Sequence, residues 1–314
     1  MDKTLNMTVQ KKTLLIGGNG FIGKSLINKL IASGRSVSIV ARSNFDDAFS
    51  EAVFYKGDFG DDEFIHPLIK SHDEIIHLAY ASVPNTSFEN PLLDLQQNLT
   101  PSVQLFLETA KQNKKLLLVS SGGTVYGEAT KLPVSENHPK HPISPYGLTK
   151  LTLENYAYLY GITHGLDYRI VRPSNPYGIG QVPFRGQGFV ATAVAAAKLK
   201  QPINIFGKTG TIRDYIYIDD LASGILSALL YGKQSEIYNI GFGVGLSNLD
   251  VVEALNNILK SYQCSLAVEH VAERPFDVKA NILDASKLTN ETNWSPQTGF
   301  TEGLKLVVAS VFDH

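Results

Sequence analysis

The run Thr13-Leu14-Leu15-Ile16-Gly17-Gly18-Asn19-Gly20-Phe21-Ile22-Gly23 limits the fold more than any other stretch. A short apolar strand runs straight into closely spaced glycines. An amphipathic stretch over residues 24–33 follows, and Gly34 stands where a helix C′ residue would end it. Strand, glycine turn and helix in succession are the context in which a glycine pattern reads as a dinucleotide site rather than as a structural turn. Gly17 permits the tight turn, Gly20 lets backbone N–H groups approach a pyrophosphate, and Gly23 lets the helix pack close to its strand. Phe21 and Ile22 are placed beside the same pyrophosphate. The spacing is G-x-x-G-x-x-G rather than G-x-G-x-x-G.

The chain downstream repeats the strand–helix rhythm. Residues 36–40 read as a second strand, whose end would carry an acid for the ribose 2′-hydroxyl of NAD. Here Ala41-Arg42-Ser43 offers no carboxylate, and Arg42 suits a 2′-phosphate, which tilts the cofactor from NAD toward NADP. Residues 53–59 read as a third strand, with Asp58 placed to accept from the adenine amino group and Phe59 beside the ring. Residues 75–80 are apolar in the way of a strand covered on both faces. Leu78, Ala79 and Tyr80 at its end would line the middle of the cofactor, while His77 reads as a core histidine. Residues 91–113 read as a helix, with Asn98 steadying the strand ends at the cofactor. Residues 115–120 form a fifth strand and 168–172 a sixth, stopped by Pro173 at the cofactor edge. Such alternation over residues 13–173 predicts an α/β fold, a doubly wound parallel (Rossmann) sheet. Residues 1–12, polar and weakly patterned, read as a flexible extension.

A second constellation supplies chemistry. Ser120-Ser121-Gly122-Gly123-Thr124-Val125-Tyr126-Gly127 reads as a buried strand running into a glycine turn. Tyr146-Gly147-Leu148-Thr149-Lys150 opens a helix over 146–161, after Pro145. Tyr146 and Lys150 are four apart and so share one helix face. A tyrosine hydroxyl holds its proton to about pH 10, and an ammonium beside it favours the phenolate. The pair predicts proton transfer near neutral pH, with Thr124 or Ser121 holding the substrate oxygen. A lone Tyr-x-x-x-Lys is common by chance; the dinucleotide fingerprint upstream gives this one weight.

The rest of the sequence excludes other classes. Lys and Arg number 28 against 30 Asp and Glu, with no basic stripe, which argues against nucleic acid. The single Cys264 leaves no internal disulfide and no cysteine-based metal cluster, and no metal is expected. No run of roughly 18 apolar residues occurs, so no membrane span is expected. The N-terminus lacks an apolar core of signal-peptide length, which predicts a cytoplasmic protein. After residue 173 the pattern changes. A Gly/Pro-rich loop over 174–188 precedes a helix over 189–199, strands over 203–206 and 237–240, a helix from Leu221 and another over 248–262. Residues 174–314 would cap the carboxyl edge of the sheet, where ligands bind in such folds, and make most of the substrate pocket.

These residues together resemble the extended short-chain dehydrogenase/reductase family, in its UDP-glucose 4-epimerase-like nucleotide-sugar epimerase/dehydratase branch. The resemblance covers nearly the whole chain. It rests on Gly17-x-x-Gly20-x-x-Gly23, Gly57-Asp58, the 120–127 run, Tyr146-x-x-x-Lys150, Arg172-Pro173-Ser174-Asn175-Pro176-Tyr177-Gly178 and Arg213-Asp214-Tyr215-Ile216-Tyr217-Ile218-Asp219-Asp220. It implies NAD or NADP across the sheet, a nucleoside diphosphate sugar beside the nicotinamide, and homodimers pairing the helices over 91–113 and 146–161. By position, Asn175 holds the diphosphate, Arg213 and Arg274 pair with it, and Phe206 contacts the base. Arginine's planar fork suits phosphate oxygens independently of the family. Relatives usually carry Ser or Thr where Gly122 stands, so Thr124 is expected to supply that hydroxyl, pointing the same way as Gly122, with Ser121 pointing the opposite way. Gly122-Gly123-Thr124 also lacks the carboxylates of the dehydratase and decarboxylase subgroups, which disfavours elimination. The expected activity is 4-epimerisation by transient oxidation at sugar C4. The near alternative is an NADPH-dependent reductase of a 4-keto-6-deoxy sugar nucleotide. A non-catalytic dinucleotide sensor would have no need of the Tyr/Lys pair.

Overall fold

The computed structural model describes residues 10–44, 49–273 and 277–313. The strands are β1 (Lys12–Ile16), β2 (Ser36–Ala41), β3 (Val53–Lys56), β4 (Glu74–His77), β5 (Lys115–Val119), β6 (Asp167–Pro173), β7 (Asn175–Tyr177), β8 (Ile203–Phe206), β9 (Ile212–Tyr217), β10 (Glu236–Ile240), β11 (Gly245–Ser247), β12 (Val268–Val271) and β13 (Ala280–Asn281). The helices are α1 (Phe21–Ala32), α2 (Asp62–Ser71), α3 (Pro84–Glu89), α4 (Pro91–Asp94), α5 (Thr100–Lys111), α6 (Pro145–His164), α7 (Phe189–Lys198), α8 (Ile218–Tyr231), α9 (Asn248–Leu259), α10 (Ser286–Thr292) and α11 (Phe300–Phe312).

Seven strands form one parallel sheet in the order β10-β6-β5-β4-β1-β2-β3. Its strands are apolar on both faces because both faces are covered. Leu15, Ile39, Ile76, Leu117 and Val171 point into one core with Leu26 and Ile27 of α1 and Ile225 of α8. Their neighbours Leu14, Ile16, Val40, Ile75, Leu116 and Ile170 point into the other, with Ile65 of α2, Leu105 of α5 and Leu153 of α6. The two-residue period of a strand thus feeds two helical layers. The sheet's last strand, β10, comes from beyond residue 173 and lies parallel to β6.

Two expectations shift. The first helix begins at Phe21 rather than near residue 24, directly after an extended Gly20 at its N-cap. The single helix over 91–113 is instead α4, a π-helical turn at Leu95–Leu99, and α5. Pro101 near the start of α5 cannot donate a backbone bond, and the wider π turn accommodates the break. A smaller sheet, β11-β9-β13 with β7 beside β9, sits over the carboxyl edge of the large one. The buried Asp214 side chain in β9 ties it down, accepting from Phe242 N (2.9 Å), Gly243 N (3.1 Å) and Leu283 N (3.2 Å). Burial outweighs these three donors and pushes its carboxyl up to about 6. No described helix is long and apolar enough to cross a membrane.

Candidate active site

The glycine turn is built by close approach. Gly17 has φ +85°, and a Cβ there would sit 2.6 Å from the Ala79 nitrogen; one at Gly23 would sit 2.4 Å from the Gly18 carbonyl oxygen. Side chains at either place would push β4 or α1 away. Leu78 N and Ala79 N both donate to the Ile16 carbonyl (2.9 and 3.0 Å), which brings residues 78–80 against the turn. Arg42 follows β2 and is exposed; Gly57 N donates to Ala41 O (3.1 Å), so the adjacent β3 end brings Asp58 to the same edge. The Asp58 side chain accepts from Gly60 N (2.9 Å). Phe59 turns partly inward and meets the His77 ring edge-on at 5.1 Å. His77 is a core histidine: it is buried, its Nε2 pairs with Ser102 Oγ (2.8 Å), and burial pulls it down to about 3. Asn98 is buried beneath this edge, where its Oδ1 accepts from Ala81 N (2.7 Å) and so holds the end of β4.

Beyond the glycine turn opens a cavity of about 740 Å³, lined by Ile22, Ser121, Thr124, Tyr146, Pro173, Asn175, Phe206 and Arg213 among others. That is the size of a site for one substantial small molecule. Phe206 and Arg213 belong to β8 and β9, and Asn175 lies beside Tyr215 in the β7–β9 pairing. The smaller sheet thus lines the cavity through Arg213 and Asn175, and β8, paired with β12, lines it through Phe206. Tyr146 and the turn after β5 line it too, with the Asn175 side chain close to that turn. Arg274 lies outside the described residues.

Tyr146 stands in the first turn of α6. Ser144 caps that helix by accepting from Gly147 N (3.1 Å), and the buried Ser87 Oγ takes the Tyr146 N–H (3.1 Å). Two otherwise unpaired donors are thereby satisfied. Lys150, one turn on, is buried and donates to the Val119 carbonyl (3.0 Å). Its ammonium lies 4.2 Å from the Tyr80 ring centroid and 5.8 Å from that of Tyr146. The Tyr80 and Tyr146 rings meet edge-on at 4.7 Å. Burial pulls Lys150 down to about 7, against the Glu154 and Asp94 carboxylates, which favour its charge. Here the expectation of an activated phenolate needs correcting. Burial first, and the Asp94 carboxylate second, hold the Tyr146 hydroxyl above its ordinary range; a hydrogen bond with Ser121 works against them. The four-residue spacing to Lys150 alone therefore does not activate Tyr146.

The turn after β5 corrects a second expectation. A Cβ on Gly122 would lie 2.4 Å from Leu283 and 2.9 and 3.0 Å from the carbonyl oxygens of Arg172 and Pro173. Gly122 therefore faces the core, not the cavity, and no hydroxyl could sit there unaided. Ser121 points opposite to Gly122, as expected, and lines the cavity; Thr124, expected to share the direction of Gly122, lies with Ser121 instead. The reason is that the segment is not extended. Val125 N donates to Ser121 O (3.2 Å) in a helix-like turn, where positions three apart share a side. The Thr124 hydroxyl is buried with no protein partner. Beneath the turn, Arg172 grips Glu154 through Nε (3.0 Å) and Nη2 and donates to Tyr126 Oη (2.8 Å). Ser120 bonds the same Glu154, so β5, β6 and α6 are locked one turn from Lys150.

Sequence reasoning missed Asp94. It is 2% exposed and accepts from Thr149 Oγ1 (2.7 Å), Asn98 Nδ2 (3.3 Å), Tyr80 Oη (3.4 Å) and Ser82. Its one legible signal was the four-residue spacing to Asn98, which puts two polar residues on one helix face.

A family model for the NAD dependent epimerase/dehydratase family matches residues 13–241. The chain belongs to that family. It is 32% identical to a UDP-glucose 4-epimerase of Thermotoga maritima solved with UDP-glucose (TM-score 0.88, 95% of this chain and 98% of that one). It is 29% identical to a Thermus thermophilus UDP-glucose 4-epimerase solved with NAD, at the same TM-score and coverage. It is also 30% identical to a dTDP-4-dehydro-6-deoxyglucose reductase of Escherichia coli, over 97% of this chain and 99% of the relative.

Proposed function

We propose that the protein is a nucleotide-sugar 4-epimerase acting on a UDP-hexose with bound NAD. The observation that carries this is the meeting of Tyr146, Ser121 and Thr124 in one cavity with Arg213 and Asn175. An acid–base group and two hydroxyls face the position of the sugar 4-oxygen, while a guanidinium faces the position of a diphosphate. Residues 13–173 would serve the dinucleotide and 174–314 mainly the sugar nucleotide. The epimerase relatives at 32% and 29% identity support the choice of activity.

Bound NAD supplies a hydride acceptor and the positive charge of an oxidised nicotinamide. The chain does the rest. Tyr146 Oη takes the proton of the sugar 4-hydroxyl as C4 is oxidised, and returns it when C4 is reduced from the opposite face. Protonated Lys150, held by Val119 O and the Tyr80 ring, steadies negative charge on Tyr146. Ser121 and Thr124 hold the 4-oxygen in both states, so that proton transfer needs no reorganisation. Arg213 and Asn175 fix the diphosphate while the hexose turns over. Arg42, exposed after β2, is the residue we take to contact the adenosine ribose. The protein is further proposed to be a cytoplasmic homodimer.

The reductase relative keeps a second reading alive: reduction of a 4-keto-6-deoxy sugar nucleotide by the same residues. Incubation with UDP-glucose or UDP-galactose decides between them. An epimerase interconverts the two with no net change in nicotinamide, and Tyr146→Phe lowers turnover by about 10²–10⁴. Consumption of reduced cofactor in proportion to product would replace the epimerase reading by the reductase one.

A further inference from the structure

Asp94 is a buried carboxylate with four neutral donors and, among the described residues, no ion-pair partner. A charge so placed costs several kcal/mol unless something offsets it. The cation within reach of its field is Lys150. Tyr80 joins the two: its hydroxyl donates to Asp94 (3.4 Å), its face carries the Lys150 ammonium at 4.2 Å, and its edge meets Tyr146. Thr149, the residue before Lys150, donates to the same carboxylate (2.7 Å). We propose that Asp94 is a positioning residue: acting through Tyr80 and Thr149, it anchors the Tyr146/Lys150 pair and sets, by its charge, the pH range in which that pair works.

The groups that face Lys150 can be enumerated. From α6 come Tyr146 and Glu154, from the β4 end Tyr80 and from β4 the neutral His77, from α4 Asp94, and from β5 the Val119 carbonyl. Glu154 is a carboxylate too; it favours the Lys150 ammonium more than Asp94 does, but both its oxygens are paired with Arg172. Among the described residues Asp94 has no such cation, and of the two carboxylates it alone acts on both members of the pair. It favours the ammonium of Lys150 and disfavours the phenolate of Tyr146. The two effects share a sign on the pH axis: removing the charge makes each group release its proton at lower pH. Because the two groups interact, the titrations belong to the pair, but the direction does not depend on how they are shared.

This inference deepens the function proposed above and rests on Tyr146/Lys150 being its acid–base pair. The test uses Asp94→Asn, which keeps shape and an acceptor, with Asp94→Glu restoring the charge and Asp94→Ser as a second neutral variant should the amide not fold. In the ligand-free protein, the Lys150 side-chain carbon titration is followed by NMR of lysine-labelled chain and assigned with Lys150→Met. In parallel, kcat/KM for UDP-glucose epimerisation is measured against pH. The neutral variants should displace the Lys150 titration and the whole pH profile downward by about one unit, and Asp94→Glu should return both toward wild type. A profile that falls in height but keeps its position, with Lys150 titrating as before, would overturn the proposal and leave Asp94 a structural anchor. If the NMR titration moves but no variant, nor the parent, epimerises UDP-glucose, the role of Asp94 stands and the epimerase reading fails.

Discussion

A single missing side chain illustrates how local geometry governs this site. Relatives' hydroxyls suggested that Gly122 leaves a gap to be filled, yet its Cβ direction is blocked by Leu283 and two carbonyls. Gly122→Ser should therefore restore no function. It should destabilise the fold by about 1–3 kcal/mol, as overpacking in a dense core does, read as a lowered denaturation midpoint. Thr124 gives the opposite expectation. Its hydroxyl is buried and unpaired in the ligand-free chain, which costs stability until a ligand pairs it. Thr124→Val should leave stability equal or higher and reduce kcat; unchanged turnover would assign the 4-oxygen to Ser121 alone.

Among the elements, α4 and α6 carry an unexplained surface. Leu92 is 70% exposed, Leu148 56%, Leu159 45% and Ile162 67%. Leu148, Leu159 and Ile162 recur at helical spacing on the outer side of α6, while Leu153 and Ala157 point into the core. An apolar stripe of this kind marks an interaction face. Pairing it with its own copy is the proposed homodimer. Sedimentation velocity checks it: Leu148→Glu with Leu159→Glu should yield a monomer with its far-UV signature intact. A wild-type monomer at the same concentration would remove the dimer from the reading. The interruption before α5 serves a different purpose, since the π turn carries Asn98 under the end of β4.

For the molecule as a whole, the buried Lys150 couples stability to pH. Its folded value near 7 lies below the roughly 10.4 of an unfolded lysine. Between those limits the unfolded chain binds the additional proton, so the contribution of this site to stability rises with pH, by at most about 1.4 kcal/mol per unit. Below about 7 both states are protonated and the penalty is full. Chemical denaturation of the ligand-free protein at several pH values should show this slope, and Lys150→Met should flatten it. A slope unaffected by that substitution would place Lys150 in contact with water.

Much of this was legible from the chain alone. The glycine run, the apolar strands and the four-residue spacing of Tyr146 and Lys150 are local patterns, and local patterns specify turns, faces and periods directly. The seven parallel strands follow from them, except that β10, far along the chain, supplies the last one. The direction of Thr124 relative to Ser121 and Gly122 was not legible, because it depends on whether the chain after β5 stays extended or curls. That is decided by bonds to Pro173 and by the space Leu283 takes. The protonation of Tyr146 and Lys150 was not legible either. Spacing brings the two together, but burial and a carboxylate from α4 determine which proton each one holds, and both arise only when distant segments pack into a single low-dielectric site.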